Sequence, residues 1–247
     1  MERNLFTKNV LLGAVEPSLR GRTAARLKSV PLSRGAILYS QGSEVDQVYF
    51  PLNGLVGILA ETMDGERMDS ALVGREGAIG LFEACGTRQY FAEAQVQVAG
   101  EAASMSASDY RELFSESEGI RTAVHRYVEQ LMSETRQSVV CSGLHDVEAR
   151  LSRTIVEALE KSATGDVLPL TQETLARMLG AQRTTVAEIM SRMQRDAILV
   201  TRRAAISVQD PVALERMACT CLETARYTRR AIWSSDLPAC ESTMVAA

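Results

Sequence analysis

The spacing of apolar residues changes once along this chain, near Ser108, and the change separates two kinds of structure. From about residue 30 to residue 105, short β-branched, aromatic and aliphatic runs alternate with turn signals, among them Asn53-Gly54 and Asp64-Gly65. Asn-Gly and Asp-Gly favour tight hairpin turns because both central residues of such turns need positive φ. Many short strands at even spacing predict a β-sandwich or a closed β-roll for this region.

Beyond Ser108 the apolar residues recur at intervals of three and four, which is the period of an α-helix. The pattern predicts one long amphipathic helix from about Glu118 to Ser142. Its apolar stripe is narrow, so we expect the helix to bury that stripe against the same helix of a second copy; the alternative is that it packs on its own domain. The residues expected at this homodimer interface are Ile120, Val124, Tyr127, Val128, Leu131 and Thr135.

The segment from residue 170 to residue 193 has the residue types that a helix-turn-helix requires. Thr171 can cap the first helix, Ala176 is small where two helices must cross closely, and Gly180 permits a left-handed turn between them. Two apolar runs follow within residues 198–208, with arginines between them, and they predict a two-stranded wing.

The second helix of this motif exposes side chains that can read bases in the major groove. Arg183 suits paired hydrogen bonds to guanine, Thr184 can contact a base or a thymine methyl group, and Glu188 can accept a hydrogen bond from cytosine. The alternatives are a solvated helix face or a protein-binding module. The residues expected to contact double-stranded DNA are Thr171, Gln182, Arg183, Thr184, Thr185, Glu188, Arg192, Arg202 and Arg203.

The net charge of −4, from 27 basic and 31 acidic residues, at first argues against a nucleic-acid partner. Residues 1–145 hold 14 basic and 18 acidic residues, however, whereas residues 146–247 hold 13 of each. Between Arg177 and Arg203, six arginines stand against only Glu188 and Asp196, so that this segment carries a local charge of +4. We therefore expect a polyanion to dock on this segment.

The order of these parts resembles the Crp/Fnr family of bacterial transcription regulators over nearly the whole chain. Residues 77–83, Gly-Ala-Ile-Gly-Leu-Phe-Glu, resemble the phosphate-cassette region of that family, and residues 170–176 and 180–186 resemble its DNA-binding signature. The resemblance implies a homodimer that binds a palindromic promoter site with its two recognition helices one DNA turn apart. For an activator it also implies RNA polymerase as a partner.

The same resemblance implies an α+β fold in three parts. Residues 1–117 would form a cyclic-nucleotide-binding-like sensor domain, a jelly-roll-like double-stranded β-helix. Residues 118–145 would form the dimerisation helix. Residues 146–247 would form a winged helix-turn-helix domain.

Two departures from the family pattern bear on function. Members that bind cyclic AMP have a Glu for the ribose hydroxyl and an Arg-Ser/Thr-Ala pattern for the phosphate. This chain has Ala78 in place of the Glu, and the stretch around Arg88-Gln89-Tyr90-Phe91 lacks the second pattern. We therefore expect a signal other than cyclic AMP. Glu188 stands where the founding member has a base-reading arginine, so a different DNA site is expected. The effector-pocket candidates are Gly77, Ala78, Ile79, Gly80, Arg88 and Tyr90.

The cysteines give no clear cofactor site. The first is Cys85, so the N-terminal iron–sulfur cysteines of the oxygen-sensing members are absent. Cys141 and His145 lie four residues apart, whereas Cys219 and Cys221 are expected on one helix, where residues two apart face different ways. We therefore expect no metal site and no cofactor. The alternative is a regulator that responds to haem, metal or redox state through these Cys and His residues.

Motifs typical of catalysis do not occur in the sequence, which has no Gly-rich phosphate loop, nucleophile elbow or His-Glu-x-x-His segment. The pattern predicts a protein that is not an enzyme. No apolar run approaches the roughly 18 residues of a membrane span. Residues 1–4 also lack the basic and then apolar character of a signal peptide, so we expect a cytoplasmic protein without a membrane partner.

Overall fold

The structure is a computed structural model that describes residues 5–202 and 204–234. Arg203, expected at the wing, lies outside these residues. None of the described helices is both long and apolar enough to cross a bilayer. The helices are α1 (Leu5–Lys8), α2 (Val10–Gly13), α3 (Pro17–Arg26), α4 (Leu81–Cys85), α5 (Ala107–Glu116), α6 (Glu118–Leu144), α7 (Val147–Ser162), α8 (Gln172–Leu179), α9 (Arg183–Arg195), α10 (Pro211–Met217) and α11 (Cys221–Trp233).

Two antiparallel sheets form the β-roll of the N-terminal domain. One sheet has the strand order β1-β7-β3 and the other the order β2-β6-β4-β5. Apolar residues from both sheets meet in one buried cluster, which includes Val48, Phe50 and Val96. The strands of the roll are β1 (Lys28–Leu32), β2 (Ile37–Tyr39), β3 (Gln47–Pro51), β4 (Leu55–Glu61), β5 (Arg67–Val73), β6 (Glu93–Val98) and β7 (Gly100–Ser106).

Of the two turn signals quoted from the sequence, one makes a hairpin and the other does not. Asp64-Gly65 joins the paired strands β4 and β5, with Gly65 at φ +83°. Asn53-Gly54 instead leads from β3 in one sheet to β4 in the other, so the hairpin expected there is wrong. A glycine is nevertheless needed at position 54, because a Cβ there would lie 2.6 Å from the carbonyl oxygen of Val98.

The first half of α6 packs on the β-roll of its own chain. Ile120, Val124 and Tyr127 are each at most 5% exposed and belong to the core of the roll. The Tyr127 ring stacks on Phe82 with 6.1 Å between centroids, and it occupies the space that a side chain on Gly77 would need. The expectation that these three residues of α6 face a second copy is therefore wrong, because the roll supplies their apolar partner within the chain.

The second half of α6 exposes a different apolar face. Met132 is 49% exposed and Val139 is 70% exposed, while Val128 is half-buried. At 3.6 residues per turn these three side chains lie within about 40° of one another around the helix axis. We refer to Val128, Met132 and Val139 as the α6 stripe. Of the other predicted interface residues, Leu131 is half-buried, and Thr135 is exposed on the same face, about 20° from Val128 around the helix axis.

The C-terminal domain is a helix-turn-helix followed by a small antiparallel sheet of order β8-β10-β9. Its core shares one buried cluster with Leu55 and Val98 of the β-roll, so the two domains are packed together. Helix α11 returns to α6, where Trp233 Nε1 donates a hydrogen bond of 2.6 Å to Gln130 Oε1. The strands are β8 (Val167–Leu168), β9 (Leu199–Arg202) and β10 (Ala205–Val208). These elements confirm the predicted α+β fold class.

Candidate DNA-binding surface

The turn of the helix-turn-helix forms from the residues that the sequence indicates. Thr171 caps α8, and its Oγ1 accepts a hydrogen bond of 3.1 Å from the backbone N–H of Thr174. Gly180 ends α8 in the left-handed conformation, with φ +57°, and its backbone N–H donates to the carbonyl oxygens of Ala176 and Arg177. A residue with a side chain is strained at this φ, so the glycine sets the angle between the two helices.

Helix α9 has one buried and one exposed face. Val186, Ile189, Met190 and Met193 are buried and hold the helix on its domain. Gln182, Arg183, Thr184 and Glu188 are exposed, and Thr185 is half-buried.

The exposed residues in the first turn of α9 face solvent, where a ligand can reach them. The Arg183 guanidinium has no ion-pair or hydrogen-bond partner among residues 5–202 and 204–234. The polar residues expected to read base edges thus lie together in the first turns of one solvent-facing helix.

The arginines that follow Arg183 differ in their surroundings. Arg192 forms an ion pair of 3.1 Å with Glu148 of α7, so part of its charge is neutralised within the chain. Arg195 and Arg202 are exposed at the end of α9 and at the end of β9. Next to the wing turn, the carbonyl oxygen of Ala204 accepts a hydrogen bond from Arg34 Nη1 at 3.3 Å. The wing therefore also touches the sensor domain.

Arg177 does not belong to the exposed basic surface, although the sequence groups it with the other arginines. Its Nε donates to Asp69 Oδ2 at 2.9 Å, and its Nη2 donates to Gln97 Oε1 at 3.1 Å and to Gln95 Oε1 at 3.3 Å. The Asp69 side chain is 2% exposed; burial raises its pKa, while the Arg177 guanidinium acts in the opposite direction. Gly57 makes room for this carboxylate.

These contacts, which we call the Arg177 latch, join α8 to the β4–β5 hairpin and to the neighbouring strand β6 of the N-terminal domain. Met68 on the same hairpin lies close to Gly180, since a Cβ on that glycine would come within 3.0 Å of the Met68 sulfur. The first helix of the DNA-binding motif is therefore held by the domain that is expected to sense the signal.

The cassette-like residues form a packed wall in the structure. Gly77, Ala78, Ile79 and Gly80 are all buried. Ile79 is fixed by two backbone hydrogen bonds with Tyr49, of 2.8 and 3.0 Å. Gly80 has φ +82°, which permits the turn into α4.

The remaining two effector-pocket candidates have opposite surroundings. Tyr90 is 4% exposed and stacks on Tyr39, with 5.0 Å between the ring centroids. Arg88 is exposed, with φ +62°, and its side chain has no ion-pair partner in the described part of the chain. The candidate region thus combines an aromatic interior with one free cation at its rim.

Four other residues come together that the sequence analysis did not group. The ligand atoms of Cys141, His145, Cys219 and Cys221 all lie within 4.8 Å of one another. The expectation that Cys219 and Cys221 share a helix is wrong, because α10 ends at Met217 and α11 begins at Cys221. The two thiols can therefore converge. The only signal of this cluster in the sequence is the close spacing within two pairs, Cys141 with His145 and Cys219 with Cys221.

The chain matches two domain models in the order that this structure shows. Residues 29–117 match the cyclic nucleotide-binding domain, and residues 149–217 match the Crp-like helix-turn-helix domain. A sensor roll of this kind joined to a winged helix-turn-helix defines a sequence-specific DNA-binding transcription regulator. The chain belongs to the Crp/Fnr family.

Relatives found by sequence agree with this assignment. The chain is 24% identical over 213 residues to a CRP-like cAMP-activated global transcriptional regulator from Mycobacterium tuberculosis, a match that covers 83% of this chain and 94% of that protein. It is 23% identical over 176 residues to the cAMP-activated global transcriptional regulator Vfr from Pseudomonas aeruginosa, a match that covers 68% and 82% of the two chains.

Among solved structures, FixK2 from Bradyrhizobium japonicum superposes with a TM-score of 0.67 at 14% identity, covering 78% of this chain and 98% of its own. The c-di-GMP responsive regulator CLP from Xanthomonas campestris superposes with a TM-score of 0.61 at 19% identity, covering 78% and 99%. The fold is therefore that of these regulators.

The Arg177 latch predicts an effect of Asp69→Ala on α8. The loss of a hydrogen bond between charged groups costs about 1.5–3 kcal/mol, so the amide protons of residues 172–179 should exchange with solvent about 10- to 100-fold faster. Hydrogen–deuterium exchange with mass spectrometry measures this rate. Ser70→Ala is the matched control, because Ser70 is an exposed neighbour on β5. Equal exchange of α8 in both variants would show that the latch does not hold the helix.

Proposed function

We propose that this regulator binds a palindromic promoter site as a homodimer, with α9 of each copy in the major groove. The observation that carries the proposal is the exposed first turn of α9, where Arg183, Thr184 and Glu188 are solvent-facing above a buried apolar face. An α-helix presented in this way fits the major groove, and its first turn reaches base edges.

The exposed side chains divide by the part of DNA that they suit. Arg183 can donate two hydrogen bonds to guanine O6 and N7, and Glu188 can accept one from cytosine N4. Arg195 and Arg202 lie farther from the first turn and suit phosphates, which position the protein without reading sequence. Thr171 presents the N-terminus of α8, where a backbone N–H can meet a further phosphate.

Arg183→Ala should weaken binding to the preferred site and relax the base preference at one position. A lost pair of hydrogen bonds to a base costs about 1–3 kcal/mol, or roughly 5- to 150-fold in affinity. Selection of sites from random DNA, followed by fluorescence titration, measures both effects.

Arg195→Ala is the matched control for this experiment. It should weaken binding equally for all sequences and reduce the salt slope by about one phosphate contact. If Arg183→Ala keeps the wild-type consensus, Arg183 does not read a base and the assignment of the recognition residues is wrong.

We further propose that the α6 stripe forms the homodimer interface, in place of the residues that the roll covers. Met132 and Val139 leave a row of exposed apolar side chains on a long helix, and a second copy of the same row is the complementary surface that two-fold symmetry supplies. Val128 extends the row toward the sensor domain. Burial of such a stripe would hold the two recognition helices at a fixed distance.

Val139→Glu should convert the dimer into a monomer, because two carboxylates would be buried near the symmetry axis without partners. Sedimentation velocity measures the change. Val212→Glu is the matched control, since Val212 is similarly exposed on α10. A wild-type chain that sediments as a monomer at micromolar concentration, or equal behaviour of both variants, would contradict this interface.

We propose that the signal is not cyclic AMP, although the names of two relatives describe cAMP-activated regulators. Ala78 is buried and offers no group that can hydrogen-bond a ribose hydroxyl. The stretch from Arg88 to Phe91 lacks the Arg-Ser/Thr-Ala pattern, and within it the buried Tyr90 ring stacks on Tyr39 in the interior. The exposed Arg88 guanidinium, which has no ion-pair partner among the described residues, is available to bind a different anionic ligand at the rim of the candidate region.

Isothermal titration calorimetry should therefore show no saturable heat when cyclic AMP is added to this protein at micromolar concentration. Vfr from Pseudomonas aeruginosa, measured in the same buffer, is the positive control because its name describes activation by cAMP. Saturable micromolar binding to this chain would overturn the proposal.

The proposals on location, RNA polymerase and catalytic activity rest on the assignment to the family. The protein would act in the cytoplasm, where its DNA is, and as an activator it would contact RNA polymerase. We assign it no catalytic reaction, in keeping with relatives that are transcription regulators.

A further inference from the structure

Two elements far apart in the sequence bring four metal-ligating side chains to one point. Cys141 lies in the last turns of α6, and His145 caps the end of that helix. Cys219 lies in the short connection between α10 and α11, and Cys221 is the first residue of α11. This cluster joins the end of the long helix to the C-terminal helices of the DNA-binding domain.

The distances within the cluster match those of ligands that share one small metal ion. Cys141 Sγ and Cys219 Sγ are 3.4 Å apart, and Cys221 Sγ is 3.5 Å from His145 Nδ1. Tetrahedral zinc, with Zn–S near 2.3 Å and Zn–N near 2.0 Å, places its sulfurs about 3.8 Å apart and a sulfur and a nitrogen about 3.5 Å apart. These two distances are within a few tenths of an ångström of the tetrahedral values, and because no two of the four ligand atoms are more than 4.8 Å apart, no separation would have to shorten by more than about 1 Å.

The burial of the cluster is that of a closed, structural site. The three cysteines are at most 8% exposed, and His145 is half-buried. Three thiolates and one imidazole complete a four-coordinate zinc sphere and leave no position open for a substrate. Thiolate ligands also select zinc over harder cations such as Mg²⁺ or Ca²⁺.

The groups around the cluster suit the charge that such a site would carry. Three thiolates around a divalent ion have a net charge of −1, and the Arg153 guanidinium is close enough to interact electrostatically with all three cysteines. The Nε2 of Gln137 donates a hydrogen bond of 2.9 Å to Cys221 Sγ. Outer hydrogen bonds of this kind orient and stabilise metal ligands.

Other uses of these residues fit the geometry less well. Haem needs space for a macrocycle beside its axial ligand, whereas here four ligand atoms converge within 4.8 Å. A cluster of several irons distributes its thiolates over different iron atoms and therefore spaces them more widely. A disulfide between Cys141 and Cys219 would not account for the convergence of Cys221 and His145 on the same point.

We propose that Cys141, His145, Cys219 and Cys221 bind one Zn²⁺ ion. The ion fixes the C-terminal helices to the end of α6, beside the short connection that leads into α7. The site is separate from the recognition helix, so its test does not depend on DNA binding.

Elemental analysis of the full-length protein, purified without chelators, should find one zinc ion per chain. Cys141→Ser and Cys219→Ser should lose this stoichiometric zinc. Cys85→Ser is the matched control, because Cys85 is exposed and outside the cluster, and it should retain the ion. Gln137→Ala should keep all four ligands but bind zinc about 10- to 100-fold more weakly in a competition titration with a chromophoric chelator.

Cobalt gives a test that does not require a ligand variant to fold. The wild-type protein, reconstituted with Co²⁺, should show the strong visible bands of tetrahedral cobalt and the near-ultraviolet bands of thiolate-to-cobalt charge transfer. His145→Cys retains four ligands and should intensify the charge-transfer bands.

Two results would overturn the proposal. One is a wild-type protein that holds no zinc after purification and binds added Zn²⁺ no more tightly than Cys141→Ser. The other is stoichiometric iron, haem or a Cys141–Cys219 disulfide in place of zinc in protein purified without oxygen.

Discussion

Tyr127 packs on the cassette-like wall formed by residues 77–80, and this contact sets the direction of α6. The positions of the proposed dimer interface and of the cysteine cluster both depend on that direction. The ring occupies space that only a glycine at position 77 leaves open, and it stacks on Phe82 from the same region. Because α6 is one continuous helix, fixing its first half also fixes where the α6 stripe and Cys141 lie. A change in the cassette-like region would therefore act directly on the base of the helix that carries the proposed dimer interface.

Several contacts attach the DNA-binding domain to the N-terminal domain. Leu55 and Val98 share its apolar core, and the Arg177 latch adds an ion pair whose Asp69 carboxylate is buried. Lys161 of α7 pairs with Glu76 and donates to the carbonyl oxygen of Leu72, and Arg34 reaches the wing. A signal that favours another placement of the domain must offset these contacts, since a ligand shifts an equilibrium only by its difference in affinity between the two states. The contacts involve α7, α8 and the wing, and they leave the first turn of α9 exposed.

The proposed zinc site would add a further attachment, at the opposite end of α6 from the cassette-like wall. Apolar packing and ion pairs can yield when domains rearrange, whereas a closed tetrahedral site holds its ligands within narrow distances. The C-terminal helices would then move with the end of α6, and rearrangement would be confined to the remaining contacts. The long helix would thus connect the sensing and DNA-binding functions as a rigid element.

The sequence by itself determined the local structure and the class of protein. The period change near Ser108, the Gly180 turn and the exposed first turn of α9 all depend on residues close together in the chain, where spacing decides which face is apolar. Only the tertiary structure decided what covers each face. Tyr127 packs on its own roll, Arg177 meets Asp69 108 residues away, and Cys141 meets Cys219 78 residues away. Periodicity shows that a face is apolar or charged, but the partner depends on the path of the whole chain.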